Sequence, residues 1–160
     1  MKLEASNAAK LIGAYDMVLD GSDNFSTRFL VNDTCFFEKK TLVSAAVGQF
    51  DGQLAVYKPH VHVEGKRTYP CYRCLFPEAP PPGTVPSCTE AGILGALTGV
   101  LGSMQALEAL KEILNIGETM AGRLMLYDGL GGVVRTVKVA PDPQCALCGP
   151  RPTLLRPDAS

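Results

Sequence analysis

The sequence has almost no excess of either charge: 15 Lys and Arg stand against 16 Asp and Glu, a formal net charge of -1. That balance offers nothing to nucleic acid or to an anionic membrane surface, both of which recruit basic patches. Residues 1–10 contain no basic segment followed by an apolar run, so no secretory signal is expected and the expected setting is the cytosol. Thiols stay reduced there, which argues against a disulfide framework for the six cysteines. Long apolar runs are also missing. The longest uncharged stretch, residues 91–107, has 17 residues and includes Gln105, whereas roughly 20 apolar residues are needed to cross a bilayer. It reads as a buried helix, with Gly92, Gly95, Gly99 and Gly102 at a spacing that suits close packing. No internal repeat is present.

What remains is ordinary globular composition, 46% hydrophobic and 19% charged, in 160 residues, so one domain with one core accounts for the chain. Residues 16–20 (DMVLD) read as a buried strand running into the turn Gly21-Ser22-Asp23-Asn24. A helix is expected over 26–40, then strands over 41–47 and 53–57 with a hairpin turn at Asp51-Gly52. The prolines of 59–86 predict a long loop without helix. A helix over 90–114 follows, then strands over 124–127 and 133–139 around a Gly-rich turn. The order is β-α-β-β, loop, α, β-β. It favours a mixed sheet with helices packed on it, α/β or α+β. Residues 151–160 are expected to form a flexible tail.

Cys71-Tyr72-Arg73-Cys74 and Cys145-Ala146-Leu147-Cys148 are two pairs of thiols, each able to chelate from a tight knuckle. Together they complete a tetrahedron around one zinc ion, and four sulfurs leave no open position, so the expected role is structural. Two separate redox dithiols are the alternative. Cys88 precedes the expected long helix, whose N-terminus favours a thiolate; it is either a candidate nucleophile or an inert thiol. Cys35 lies in a Phe-rich helical segment and reads as packing. Asp20 and Asp23 stand at the carboxyl end of a strand, where open α/β sheets place their ligand crevice and where carboxylates can hold Mg²⁺. Asp23 or Asn24 can equally serve as a helix cap. Arg28 suits a phosphate or a surface ion pair, and His60 and His62 are assigned no role.

The sequence resembles the C-terminal part of the MoeB/ThiF family, the activating enzymes of sulfur-carrier proteins, related to ubiquitin-activating enzymes. The matching blocks run through most of the chain: residues 18–24 (VLDGSDN), 42–46 (LVSAA), 51–53 (DGQ), 70–75 (PCYRCL), 88–92 (CTEAG), 99–108 (GVLGSMQALE) and the pair Cys145 and Cys148. The resemblance implies the Rossmann-like fold of the family. It also implies ATP-dependent adenylation of the C-terminal glycine of a ubiquitin-like sulfur-carrier protein of the MoaD, ThiS or ubiquitin-related modifier type. The products serve molybdopterin, thiamine or tRNA thiolation. By the same resemblance Asp23 handles Mg²⁺ and ATP with Asn24 beside it. Cys88 corresponds to a cysteine that some members use in a thioester or persulfide intermediate, and the four paired cysteines to the zinc ligands. A homodimer, or pairing with a homologue, is the implied assembly.

No Gly-x-Gly-x-x-Gly follows a strand anywhere in these residues. Residues 1–150 are therefore expected to form a partial adenylyltransferase domain whose Gly-rich nucleotide-binding half lies outside them. A non-catalytic, zinc-stabilised module that binds a sulfur carrier or a full-length homologue is the alternative. If zinc clamps the loop bearing Cys88 to residues 145–148, Cys145→Ser should release metal and also raise the protease sensitivity of that loop. Unchanged sensitivity in limited proteolysis would contradict the clamp.

Overall fold

Side chains that alternate between two apolar faces form the centre of the molecule. In β2 (Thr41–Val47) and β3 (Asp51–Tyr57), Leu42, Ala55 and Tyr57 pack on one side while Val43, Ala45, Leu54 and Val56 pack on the other. A strand buried on both faces needs helices on both. The computed structural model describes residues 1–81, 83–84 and 91–157 and supplies them. β1 (Met17–Asp20) pairs parallel to β2, and β6 (Arg123–Asp128) and β7 (Val133–Lys138) extend the sheet antiparallel beyond β3, in the order β1-β2-β3-β6-β7. α1 (Ala5–Gly13) and α2 (Phe25–Phe37) cover one face through Ile12, Phe29 and Val31. The 20-residue α4 (Gly95–Leu114) covers the other through Leu97, Leu101 and Ala109. The class is α/β with a mixed sheet, as expected from the sequence.

Several local readings change. The Asp51-Gly52 pair lies inside β3, and the turn falls on residues 48–50, closed by Gly48 N–H donating to Asp51 O at 2.8 Å. Gly52 is needed for packing: a Cβ there would stand 2.8 Å from Leu101 Cγ. The loop 59–86 contains structure, because its prolines bracket short elements instead of interrupting them. The hairpin β4 (His62–Val63) and β5 (Lys66–Arg67) turns on Glu64 and Gly65, both at positive φ, and the one-turn α3 (Tyr72–Leu75) sits between Pro70 and Pro77. The long helix begins at Gly95, not at residue 90, and Gly92 just upstream adopts φ +72°, a left-handed conformation outside any helix.

α4 is also not a buried helix. Only a stripe of Leu97, Leu101, Glu108 and Ala109 is buried against the sheet, while Leu107, Leu110, Ile113 and Leu114 are exposed. Its glycines are not packing notches, since a Cβ at Gly95, Gly99 or Gly102 would meet nothing within 4 Å. No described helix is long and apolar enough to cross a membrane. α1 lacks an obvious sequence signature beyond Ala8 and Ile12 one turn apart, and Asn7 Oδ1 fixes its start by accepting from Glu4 N–H at 2.9 Å.

Leu101 is 1% exposed and fills the space that Gly52 leaves. Leu101→Ala should therefore destabilise the fold by about 3 kcal/mol. The measurement is a denaturant midpoint shift with unchanged slope.

Candidate metal centre and strand-end cleft

α2 positions both candidate sites. Its first turn is capped by Asn24, whose Oδ1 accepts from Thr27 N–H at 2.8 Å and from Ser26 Oγ at 2.9 Å. Asn24 is thus the helix cap of the two residues considered for it, and Asp23, exposed beside it, accepts only a long 3.3 Å bond from Asn24 Nδ2. Arg28, one turn along, makes no ion pair with any described residue, unlike the surface pair the sequence suggested. Its Nε and Nη2 donate to Ser22 O at 3.1 and 2.8 Å, and its guanidinium stacks on Phe25. That bidentate bond fixes the turn after β1. Arg28, Asp23, Ser22 and Gln105 line a cleft of about 220 Å³ at the carboxyl ends of the parallel strands β1 and β2. A crevice at that end of a parallel pair is where α/β sheets receive ligands.

Gln105 was not singled out from the sequence. Its Nε2 donates to Asp20 O at 2.8 Å and Val43 O at 2.9 Å, holding α4 against the end of β1 and the neighbouring part of β2. Asp20 is buried: one oxygen accepts from Ser22 N–H at 2.9 Å and the other faces Ser44 Oγ at 3.5 Å, so it braces the cleft floor. Cys88, the candidate nucleophile, lies outside the described residues. Cys35 is buried in α2, and burial, followed by the nearby Asp20 charge, pushes its thiol up to about 12; at neutral pH it stays protonated.

The four paired cysteines come together. Cys71 and Cys74 lie at the start and inside of α3, and Cys145 and Cys148 in a second tight turn 74 residues on. Their sulfurs all lie within 4.8 Å of one another. Three separations are 3.8 Å (Cys71 to Cys74), 3.6 Å (Cys71 to Cys145) and 3.4 Å (Cys74 to Cys148). A tetrahedron with metal–sulfur bonds of about 2.3 Å has edges of about 3.8 Å, so this donor set fits zinc. Cys71, Cys145 and Cys148 are buried and Cys74 is half-buried. Hydrogen bonds from Cys148, then Cys71 and Cys74, pull the Cys145 thiol down, whereas the same crowding, led by Cys145, pushes Cys71 up. Four thiols this close hold protons unevenly, and a divalent cation removes the conflict by replacing those protons. No other cluster of three or more metal-ligating side chains occurs among the described residues.

Gly149 completes the second turn. Its N–H donates to Cys145 O at 2.9 Å, and a Cβ at this position would collide with that same carbonyl. Gly149→Ala should therefore weaken zinc binding, on the order of 10–100-fold, in competition against a chromogenic chelator.

The profile of the ThiF family matches residues 1–147. The chain is 51% identical over 154 residues to a sulfur carrier protein adenylyltransferase of Thermus thermophilus, covering 96% of this chain and 56% of that protein. It is 46% identical over 156 residues to the adenylyltransferase and sulfurtransferase MOCS3 of Anopheles gambiae, covering 97% of this chain and 34% of that protein. The chain therefore spans well under two thirds of the length of these relatives. Among solved structures it resembles E. coli MccB with ATP, at a TM-score of 0.66 and 14% identity over 92% of this chain and 44% of that one. MccB with MccA-N7isoASN gives a TM-score of 0.69 at 14% identity, with the same coverage. Likeness at that identity bears on the fold.

Proposed function

This chain belongs to the ThiF family, and on that premise we propose that it is the C-terminal part of an ATP-dependent adenylyltransferase. Its substrate is the C-terminal glycine carboxylate of a ubiquitin-like sulfur-carrier protein, of the MoaD, ThiS or ubiquitin-related modifier type. The carrier then receives sulfur for molybdopterin, thiamine or tRNA thiolation. The observation that carries this reading is the strand-end cleft lined by Asp23 and Arg28, in a chain 51% identical to a sulfur carrier protein adenylyltransferase.

In the reaction a carboxylate oxygen attacks the α-phosphorus of ATP and pyrophosphate leaves, giving a mixed anhydride with AMP as the next leaving group. Asp23 is exposed at the cleft with its carboxylate nearly unbonded, which suits a hard cation such as Mg²⁺ on the phosphates. The Arg28 bond to Ser22 O holds the turn that presents Asp23. Asn24, as helix cap, keeps the start of α2 at the cleft. In this proposal Cys88 supplies a thiolate that attacks the activated carbonyl carbon and expels AMP. The four-cysteine site holds structural zinc and takes no part in the chemistry.

The Gly-rich loop that grips the phosphates comes from outside residues 1–150 in this account, either from further chain or from a paired homologue. The reaction is cytosolic, where Cys88 and the metal-binding thiols stay reduced. The second reading, a non-catalytic module that binds the carrier or a full-length homologue, draws on the lack of a Gly-x-Gly-x-x-Gly sequence in these residues.

ATP–pyrophosphate exchange with a sulfur-carrier protein separates the two readings. Exchange by the chain when the Gly-rich loop is supplied by further chain or by a paired homologue, and little or none by these residues alone, is the expected result. In the paired form Asp23→Ala should reduce exchange by at least about 100-fold, a loss typical of removing a charged group that stabilises the reacting phosphates. No exchange in either form, with zinc bound at one per chain and the carrier still captured, would establish the non-catalytic reading.

A further inference from the structure

The two cysteine turns are held to α2 by different chemistry. Between Cys71 and Cys74 stand Tyr72 and Arg73, and directed bonds tie both to the middle of α2. Tyr72 N–H donates to Asn32 Oδ1 at 2.8 Å. Arg73 Nε and Nη2 donate to the two carboxylate oxygens of Asp33 at 2.9 and 2.8 Å, with the guanidinium 4.4 Å over the Phe29 ring. Asn32 Nδ2 donates in turn to Asp33 Oδ1 at 2.9 Å, so the residues act as one network. Asp33 is fully buried and Arg73 is 7% exposed.

Between Cys145 and Cys148 stand Ala146 and Leu147, whose side chains can make no directed bond. Leu147 is buried with Phe36, Phe37 and Leu154. Among the described residues the other backbone bonds of this turn stay within its own segment (Cys145 N–H to Asp142 O, Gly149 N–H to Cys145 O, and Thr153 and Leu154 N–H to Ala146 O), and one more runs from the Asp142 amide to the Cys74 sulfur; none of them reaches α2. Apolar contact is non-directional, so it places this turn on α2 without aiming its sulfurs. A bidentate, desolvated Arg–carboxylate pair fixes orientation as well as position.

From this asymmetry we infer that Asn32, Asp33 and Arg73 are positioning residues for the metal. They hold Cys71 and Cys74 in ligating geometry with or without zinc, and Cys145 and Cys148 are the half that the metal recruits. The inference rests on the four-cysteine site being a metal site. It adds an order of assembly: the metal meets a preformed two-sulfur clip first, and the later segment closes over it. Ligands fixed in advance are not ordered at the expense of binding, which strengthens the site.

Hydrogen–deuterium exchange on the full chain, zinc-loaded and after chelation, tests this. The Cys74 and Phe76 amides, bonded to Cys71 O and Tyr72 O, should keep their protection without metal. The Gly149, Thr153 and Leu154 amides should lose theirs on the order of 100-fold. Arg73→Lys keeps the charge but loses the fork, so it should weaken zinc on the order of 10–100-fold and expose the Cys74 and Phe76 amides in the metal-free chain. Asn32→Ala, which leaves the ion pair intact, should give a smaller effect in the same direction and serves if Arg73→Lys does not fold. Global unfolding on zinc removal, loss of protection in both turns together, or unchanged zinc affinity in the variants would overturn the positioning role. A wild-type chain that takes up no zinc would overturn the metal reading itself.

Discussion

The docking of α2 is the constraint on which the rest of the structure depends. In 13 residues this helix meets the sheet through Phe29 and Val31, caps its start at the cleft with Asn24, and bonds the first cysteine turn through Asn32 and Asp33. It receives the second turn on Phe36 and Phe37. The cleft and the four-sulfur cluster thus share one rigid element, with the cleft at its N-terminus and the cluster towards its other end. A buried ion pair such as Asp33–Arg73 contributes little net stability over an apolar pair of the same shape. What it supplies here is orientation, because only one placement of α3 satisfies both carboxylate oxygens and the Asn32 amide.

The cleft follows from the parallel pairing of β1 with β2, the other pairings between described strands of this sheet being antiparallel. β1 and β2 run the same way with α2 between them, so their carboxyl ends open on the same side, and Gln105 from α4 fastens both strands by donating to one backbone carbonyl of each. The antiparallel strands beyond β2 build no such opening. They carry β7 to an edge where all six of its residues are exposed. The chemistry proposed for this chain therefore gathers on the β1 and β2 side, while the four-sulfur cluster brings residues 145–148 to that same side through α2.

The elements with strong local signals were legible in the sequence. TLVSAAV gave its strand to the residue, and the paired cysteines gave the cluster, since two-residue spacing fixes each turn whatever the fold does. The misreadings share a cause in tertiary context. Asp51-Gly52 has the composition of a hairpin turn, but Leu101, 49 positions later in the numbering, claims the space at Gly52. The prolines of the long loop looked like helix breakers, yet their positions at 70 and 77 leave room for one turn carrying Tyr72 and Arg73. Buried polar residues were the least legible. Asn32-Asp33 in mid-helix and Arg73 inside a cysteine pair each look solvent-facing alone, and only their meeting across 40 residues makes burial tolerable. Gln105 is similar, because the two carbonyls it serves belong to different strands.

The central claim is that these four sulfurs bind one metal ion and so hold residues 145–148 on α2. X-ray absorption at the zinc edge on the purified, zinc-loaded chain tests it most directly. The account predicts one zinc per chain and a first shell fitted by four sulfur atoms at about 2.3 Å. A shell containing nitrogen or oxygen scatterers at about 2.0–2.1 Å, or fewer than four sulfurs, would contradict it.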